Sequence, residues 1–388
     1  MNGTKAKLGS NHPDTLSSMA NLAATYRNQG RWDDAEKLEV DVMNGTKAKL
    51  GLNHPHTLYS MANLANTYRN QGRWDEAEKL EVDIMNAKKR NLGLDHSDTL
   101  TSMANLAFIY GKQGRWDEAE KLLVDVMNVF KAALGLDHPD TLTSMVNLAS
   151  TYIEQGRWNM AEKLFEDILN ARKVKLGQDH PDTLTSLSNL ACTYQNLGRW
   201  DDAEMLELDV MNERKKKLGS NHPDTQMSMA NLALTYRNQG RWGDSEMLEV
   251  DVMNERKTKL GSDHPDTLTS MANLALTYWK QGRWDEAEKL FVDVLNVRKA
   301  KLGSEHPDTF TSLANLALIY RSQGRIDEAH SLLSIAVQTM QDILGTCHPT
   351  VLSYVEELNA LSNAKEHKGS KQTVPLVCMH KFALIVLC

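Results

Sequence analysis

Nine histidines stand 42 residues apart without a slip: His12, His54, His96, His138, His180, His222, His264, His306 and His348. Most open a His-Pro-Asp-Thr run, which sets a base, an acid and a hydroxyl within four residues. Those residue types could serve nucleophilic catalysis or, with further ligands, a metal. Either chemistry needs groups that converge on one point. A zinc ion, for example, needs four ligands at about 2.0–2.3 Å. Nine copies spaced one repeat apart form a ridge and do not converge. The run is therefore read as a helix start with loop packing. No G-x-x-x-x-G-K-[ST], G-x-G-x-x-G or H-E-x-x-H occurs. No enzymatic activity, cofactor or metal is expected.

The histidines belong to a longer rhyme. Asn21-Leu22-Ala23, Tyr26, Gln29-Gly30-Arg31-Trp32 and Ala35-Glu36-Lys37-Leu38 return at Asn63, Asn105, Asn147, Asn189, Asn231, Asn273 and Asn315. A strict period of this length implies a stacked repeat array. The array is expected over 13–361, after a partial repeat at 1–12 and before an irregular tail at 362–388. Met1–Gly9 repeats the wording of Met43–Gly51, so the chain is expected to begin in mid-repeat and to be a piece of a longer protein.

Bulk properties narrow the partners. A net charge of −7 argues against a nucleic-acid or membrane footprint, which needs a basic excess. The most apolar run, Phe382–Cys388, falls well short of the roughly 20 residues that span a bilayer. Cys192, Cys347, Cys378 and Cys388 follow no repeat, so no disulfide framework is expected and the setting is read as cytoplasmic.

Each repeat reads as two helices. Pro13 suits a first helical turn and Asp14 favours the positive helix end. Leu16, Met19, Leu22, Ala23 and Tyr26 recur at helical spacing, and Gly30 is a left-handed stop. Trp32 opens a second helix, with Ala35, Leu38, Val42 and Met43 as its apolar stripe, and Leu50-Gly51 closes it. Helices of roughly 14–17 residues are expected, about 21–26 Å long. Ala23, Ala35 and their counterparts mark close helix approach, with Ser245 the one substitution. The tryptophans are expected in the core, Trp279 excepted, because it stands outside the rhyme.

Met19, Leu22, Ala23 and Tyr26, with Gly30, Trp32 and Ala35, resemble the tetratricopeptide repeat. The 42-residue period with Leu-Gly-x-x-His-Pro-Asp resembles the lengthened repeats of kinesin light chains. The resemblance implies an all-α, right-handed superhelical α-solenoid of antiparallel helix pairs, helix A and helix B. Two departures stand out. Family helices B carry a large apolar residue near mid-helix, as Leu123, Phe165, Phe291 and Leu333 do here, whereas Glu39, Glu81, Glu207 and Glu249 do not. Looser packing or rotation of helix B is expected there. Ile326 also replaces the last tryptophan.

Comparison of the eight copies isolates two variable helix-A series. One is Ala24, Asn66, Phe108, Ser150, Cys192, Leu234, Leu276 and Leu318. The other follows the tyrosine: Arg27, Arg69, Gly111, Ile153, Gln195, Arg237, Trp279 and Arg321, with Lys112, Glu154 and Lys280 beside it. Together with the asparagines they share one face of helix A. The resemblance implies that this face lines a concave groove that binds extended peptides. Asn63, Asn105, Asn147, Asn189, Asn231, Asn273 and Asn315 would hold a ligand backbone. Arg27, Arg69, Phe108, Lys112, Arg237, Trp279, Lys280 and Arg321 would read its side chains, and their basic excess suits an acidic, tryptophan-containing ligand. The expected function is a peptide-binding scaffold or adaptor. Kinesin heavy chain is a further partner of such proteins, but their heptad coiled coil for motor docking is absent from this sequence. The alternative is the repeat sensor of a signalling receptor with an NB-ARC type domain, whose arrays are similarly near-identical.

Overall fold

The computed structural model describes Gly9 and residues 12–346 and 349–366. His348, most of 1–12 and most of the tail lie outside the described residues. The helices follow the chain as α1 (Pro13–Asn28), α2 (Trp32–Leu50), α3 (Pro55–Asn70), α4 (Trp74–Leu92), α5 (Ser97–Lys112), α6 (Trp116–Leu134), α7 (Pro139–Glu154), α8 (Trp158–Leu176), α9 (Pro181–Asn196), α10 (Trp200–Leu218), α11 (Pro223–Asn238), α12 (Trp242–Leu260), α13 (Pro265–Lys280), α14 (Trp284–Leu302), α15 (Pro307–Ser322), α16 (Ile326–Leu344) and α17 (Pro349–Glu366). Odd numbers are A helices and even numbers B helices. No strand occurs among the described residues. The last helix runs to Glu366, past the boundary expected at 361.

The His-Pro-Asp-Thr run and its variants build the entries to the A helices from α1 to α15. His12 Nδ1 accepts from the Asp14 backbone N–H at 3.3 Å, and His138, His180, His222 and His264 accept likewise at 3.2 Å. This is N-capping, in which a side chain meets a backbone donor that the helix leaves free. In five repeats the buried threonine donates backwards, as Thr57 does to Gly51 O, Thr99 to Gly93 O and Thr141 to Gly135 O, each at 2.8 Å, whereas the Thr15, Thr225 and Thr267 hydroxyls are buried without a partner. The histidine and, in five repeats, the threonine are thus used in joining one helix to the next.

The B helices have 19 residues, longer than expected, because Met43–Leu50 and its counterparts continue the helix to the glycine. Gly51 stops it at φ 86° and ψ 166°, a conformation almost closed to other residues. The A helices have 16. Their exit is a tight turn: Gly30 takes φ 72° and Arg31 N–H returns to Tyr26 O at 2.9 Å.

The chain divides into two compact units, Met1–Leu164 and Phe165–Cys388. In the first, each helix from α1 to α7 packs on the next, and α5 touches α7. In the second, α9 to α17 do the same, with α9 on α11 and α11 on α13. Contacts confined to near neighbours define a solenoid. The alanines fill the closest approaches: Ala23, Ala35, Ala65, Ala77, Ala275 and Ala287 are fully buried. Ser245 takes the same place and approaches the Thr277 hydroxyl at 3.3 Å.

Candidate peptide-binding face

The four mid-helix glutamates correct an expectation. They do not loosen helix B; they are buried, with Glu39, Glu81 and Glu207 at 3% exposure and Glu249 at 4%. A buried carboxylate needs compensation. It comes from the variable residue after the tyrosine on helix A. Arg27 Nε lies 3.3 Å from Glu39, and Arg237 Nη1 lies 3.0 Å from Glu249. Gln195 Nε2 donates to Glu207 at 2.8 Å. Arg69 is the charge nearest Glu81 in effect, lowering a carboxyl pKa that burial raises. Where helix B is apolar, the partner follows suit: Gly111 with Leu123, Trp279 with Phe291. The pairing was legible by reading the two variable series side by side. Arg321 is the exception, facing Leu333, and it bonds forward to Glu357 on α17. Glu357 occupies the position that asparagine holds in earlier repeats.

These arginines also grip the asparagine rung of the next repeat. Arg27 Nη1 and Nη2 reach Asn63 O and Oδ1, both at 3.5 Å, and Arg237 Nη1 donates to Asn273 O at 3.1 Å. Much of the expected basic excess is therefore balanced: Arg27, Arg237 and Arg321 each carry a glutamate partner.

The candidate face differs between the units. In Met1–Leu164 it is open. Phe108 is 45% exposed, Asn66 and Ser150 are exposed, and so are Asn147 and Lys112. In Phe165–Cys388 the equivalent Cys192, Leu234 and Leu276 are buried, as are Asn231, Asn315 and Arg237. Trp279 is half-buried, donating from Nε1 to Ser322 Oγ at 2.8 Å, with exposed Lys280 4.8 Å above its ring. Asn63, Asn105, Asn189 and Asn273 are half-buried.

Phe108 is held, not loose. Trp74 meets it edge-on at 6.4 Å, Arg69 lies 4.5 Å over its ring and Lys112 5.5 Å. Arg69 Nε is buried with no hydrogen-bond partner. The result is an exposed aromatic ring between two cations.

The tryptophans that open the B helices are not core residues. Trp242 and Trp284 are 39% and 41% exposed, and the others are half-buried. Each sits at the A–B turn rather than between helices; Trp116, for instance, covers Gly111, where a Cβ would lie 3.1 Å from its ring. Trp74 owes its role beside Phe108 to this rim position.

A second network escaped the sequence reading. Arg73 spans to Glu36 of the preceding repeat at 2.8 Å, and Arg115–Glu78 and Arg157–Glu120 repeat the contact. Arg241–Glu204, Arg283–Glu246 and Arg325–Glu288 form the same series in the second unit. Gln71 Nε2 adds bonds to Asp33 and Glu36, each at 3.0 Å, and Arg73 stacks on Tyr68 at 4.3 Å. Burial works against the Glu36 charge, but the Gln71 and Arg73 hydrogen bonds outweigh it and hold its pKa below the usual range. Among the described residues no group of three or more His, Cys, Asp or Glu is poised to hold a metal. No described helix is long and apolar enough to cross a membrane.

Stacked A–B helix pairs with a variable A face define a helical-repeat protein of the kind that binds other proteins. Sequence models of the tetratricopeptide repeat match residues 98–173, 146–212, 225–300 and 267–341, and a second such model matches 15–56 and 57–98. The chain belongs to the tetratricopeptide repeat family. No curated protein matches it. Among solved structures it is similar to a putative kinesin light chain of Podosopora anserina with nearly identical repeats, at 31% identity over 53% of this chain and 97% of that one, TM-score 0.46. It is also similar to the apo form of RapI, at 12% identity over 74% and 98%, TM-score 0.54. A signal transduction ATPase of Pyrococcus horikoshii with a tetratricopeptide repeat sensor matches at 13% identity over 88% and 49%, TM-score 0.50. The last two are likenesses of fold.

Proposed function

We propose that this chain is a non-enzymatic scaffold that holds an extended acidic peptide along the A-helix face of Met1–Leu164, in the manner of a kinesin light chain binding cargo. The observation that carries the reading is Phe108: a large apolar ring, 45% exposed, braced by Trp74 and flanked by Arg69 and Lys112. A side chain so held and so exposed suits an aromatic or aliphatic anchor on a partner, with acidic neighbours meeting the two cations. Exposed asparagines on the same face, such as Asn147, supply donors and acceptors for an extended backbone. The sequence resemblance supports the same ligand class, and the membership of the tetratricopeptide repeat family supports protein binding in general.

The test is a fluorescence-anisotropy titration with a labelled acidic peptide containing tryptophan. Phe108→Ala is expected to weaken binding tenfold or more, about 1.4 kcal/mol. Lys112→Glu is expected to weaken it and to flatten its salt dependence. Absence of binding by the wild type, or equal affinity for Phe108→Ala, would remove the proposal.

A further inference from the structure

Glu207 is the one member of its series whose helix-A partner carries no charge. Glu39, Glu81 and Glu249 face Arg27, Arg69 and Arg237, but Glu207 faces Gln195. It is 3% exposed, on α10, wedged between α9 and α11. From α9, Gln195 Nε2 donates to Oε1 at 2.8 Å; from α11, Thr235 Oγ1 donates to Oε2 at 2.6 Å. Its own helix contributes Glu204, whose charge Arg241 takes up at 2.8 Å. Arg237, the cation in the last turn of α11, is committed to Glu249. Gln195 Oε1 is buried with no partner, so the cluster is not fully satisfied as it stands.

The threonine makes a second arrangement available. In repeats without a mid-helix glutamate behind them, the same hydroxyl turns to its own helix: Thr151 donates to Asn147 O at 3.1 Å and Thr193 to Asn189 O at 3.0 Å. Thr235 has the equivalent carbonyl, Asn231 O, which Gln195 Nε2 approaches at 3.5 Å. If Glu207 holds a proton, its O–H donates to Thr235 Oγ1, and the threonine hydroxyl donates to Asn231 O. The oxygens stay bonded and the uncompensated charge is gone.

We propose that Glu207, Gln195 and Thr235 form a proton-binding joint that locks α9, α10 and α11 together when occupied and loosens them when vacant. Burial pushes the Glu207 carboxyl up to about 7, against the opposing hydrogen bonds of Thr235 and Gln195. The folded-state value lies above the unfolded one. Stability from this group is therefore full below the ordinary carboxylate range and is lost as pH rises through about 7. Neutral pH thus sets how firmly the A-helix face of the second unit is closed, because Asn231 and Leu234 lie on α11 beside the joint.

The experiment is chemical unfolding of the full chain from pH 5 to pH 8.5, for the wild type, Glu207→Gln and Gln195→Arg. Relative to either variant, the wild type's unfolding constant is expected to rise at least tenfold across that range. Gln195→Arg sets a cation beside Glu207, which opposes the effect of burial as Arg237 does at Glu249, and should reduce the extra pH dependence. Parallel profiles for wild type and variant would overturn the proposal. If neither variant folds, carboxyl NMR of wild-type chain with labelled glutamate and an assigned Glu207 resonance decides: Glu207 titrating near neutrality supports the joint, and Glu207 titrating below pH 6 overturns it.

Discussion

At the residue scale, the positions that vary among copies are not all free to read a ligand. The residue after the helix-A tyrosine is constrained by the residue at the middle of helix B, polar against polar and apolar against apolar. Arg237 is the sharpest case, because it is 4% exposed and its guanidinium meets Glu249, Asn273 O and the Thr277 hydroxyl. Removing one partner of a buried pair leaves the other charge stranded. Arg237→Ala is therefore expected to cost about 3–5 kcal/mol, read by urea unfolding. Arg27→Ala should cost less, since Arg27 is 17% exposed and water can reach the vacated site. The Arg–Glu match was visible in the sequence, in the Arg27 and Glu39 series taken together. Taken separately, one series looked like a ligand face and the other like a packing defect. The histidine motif was legible for a plainer reason: capping needs only local spacing, which sequence displays directly.

At the element scale, two devices join successive helix pairs. The alanines permit close approach, and period and residue size announce that from sequence. The Arg73–Glu36 type of clasp is different. Its partners are 37 residues apart, so it depends on how one repeat stacks on the next, which no single repeat records. Its charges are also partly exposed: Arg283 at 37% and Glu246 at 29%. Screening limits such pairs. Glu246→Ala is expected to lower stability by no more than about 1 kcal/mol, and by less in high salt, as a denaturation midpoint in both conditions will register. A loss several times larger would mean that the clasp acts as a buried network. Tryptophan burial was misjudged on similar grounds. Its place at a helix start resembles a core anchor, yet the A–B turn leaves one side of the ring to solvent, and Phe108 makes use of that side.

At the scale of the whole molecule, near-identical repeats do not give equivalent surfaces. The face that is open in Met1–Leu164, at Asn66, Phe108 and Ser150, is filled in Phe165–Cys388 by buried Cys192, Leu234 and Leu276. Asn66 and Ser150 leave the face accessible and Phe108 stands out from it, whereas Leu276 packs against Leu316 and Ile319 of the next A helix. The change in residue type is plain in the sequence, but its consequence for exposure depends on the separation of the A helices, which sequence does not state. The account places ligand binding on α3, α5 and α7, around Phe108. The most direct test is photo-crosslinking of the full chain to the acidic peptide with a photoreactive phenylalanine analogue in place of its tryptophan, followed by mass-spectrometric mapping. Crosslinks are predicted on α3, α5 and α7 near Phe108, and to disappear with Phe108→Ala only as affinity falls. Crosslinks confined to B helices, or to residues of Phe165–Cys388, would contradict the account.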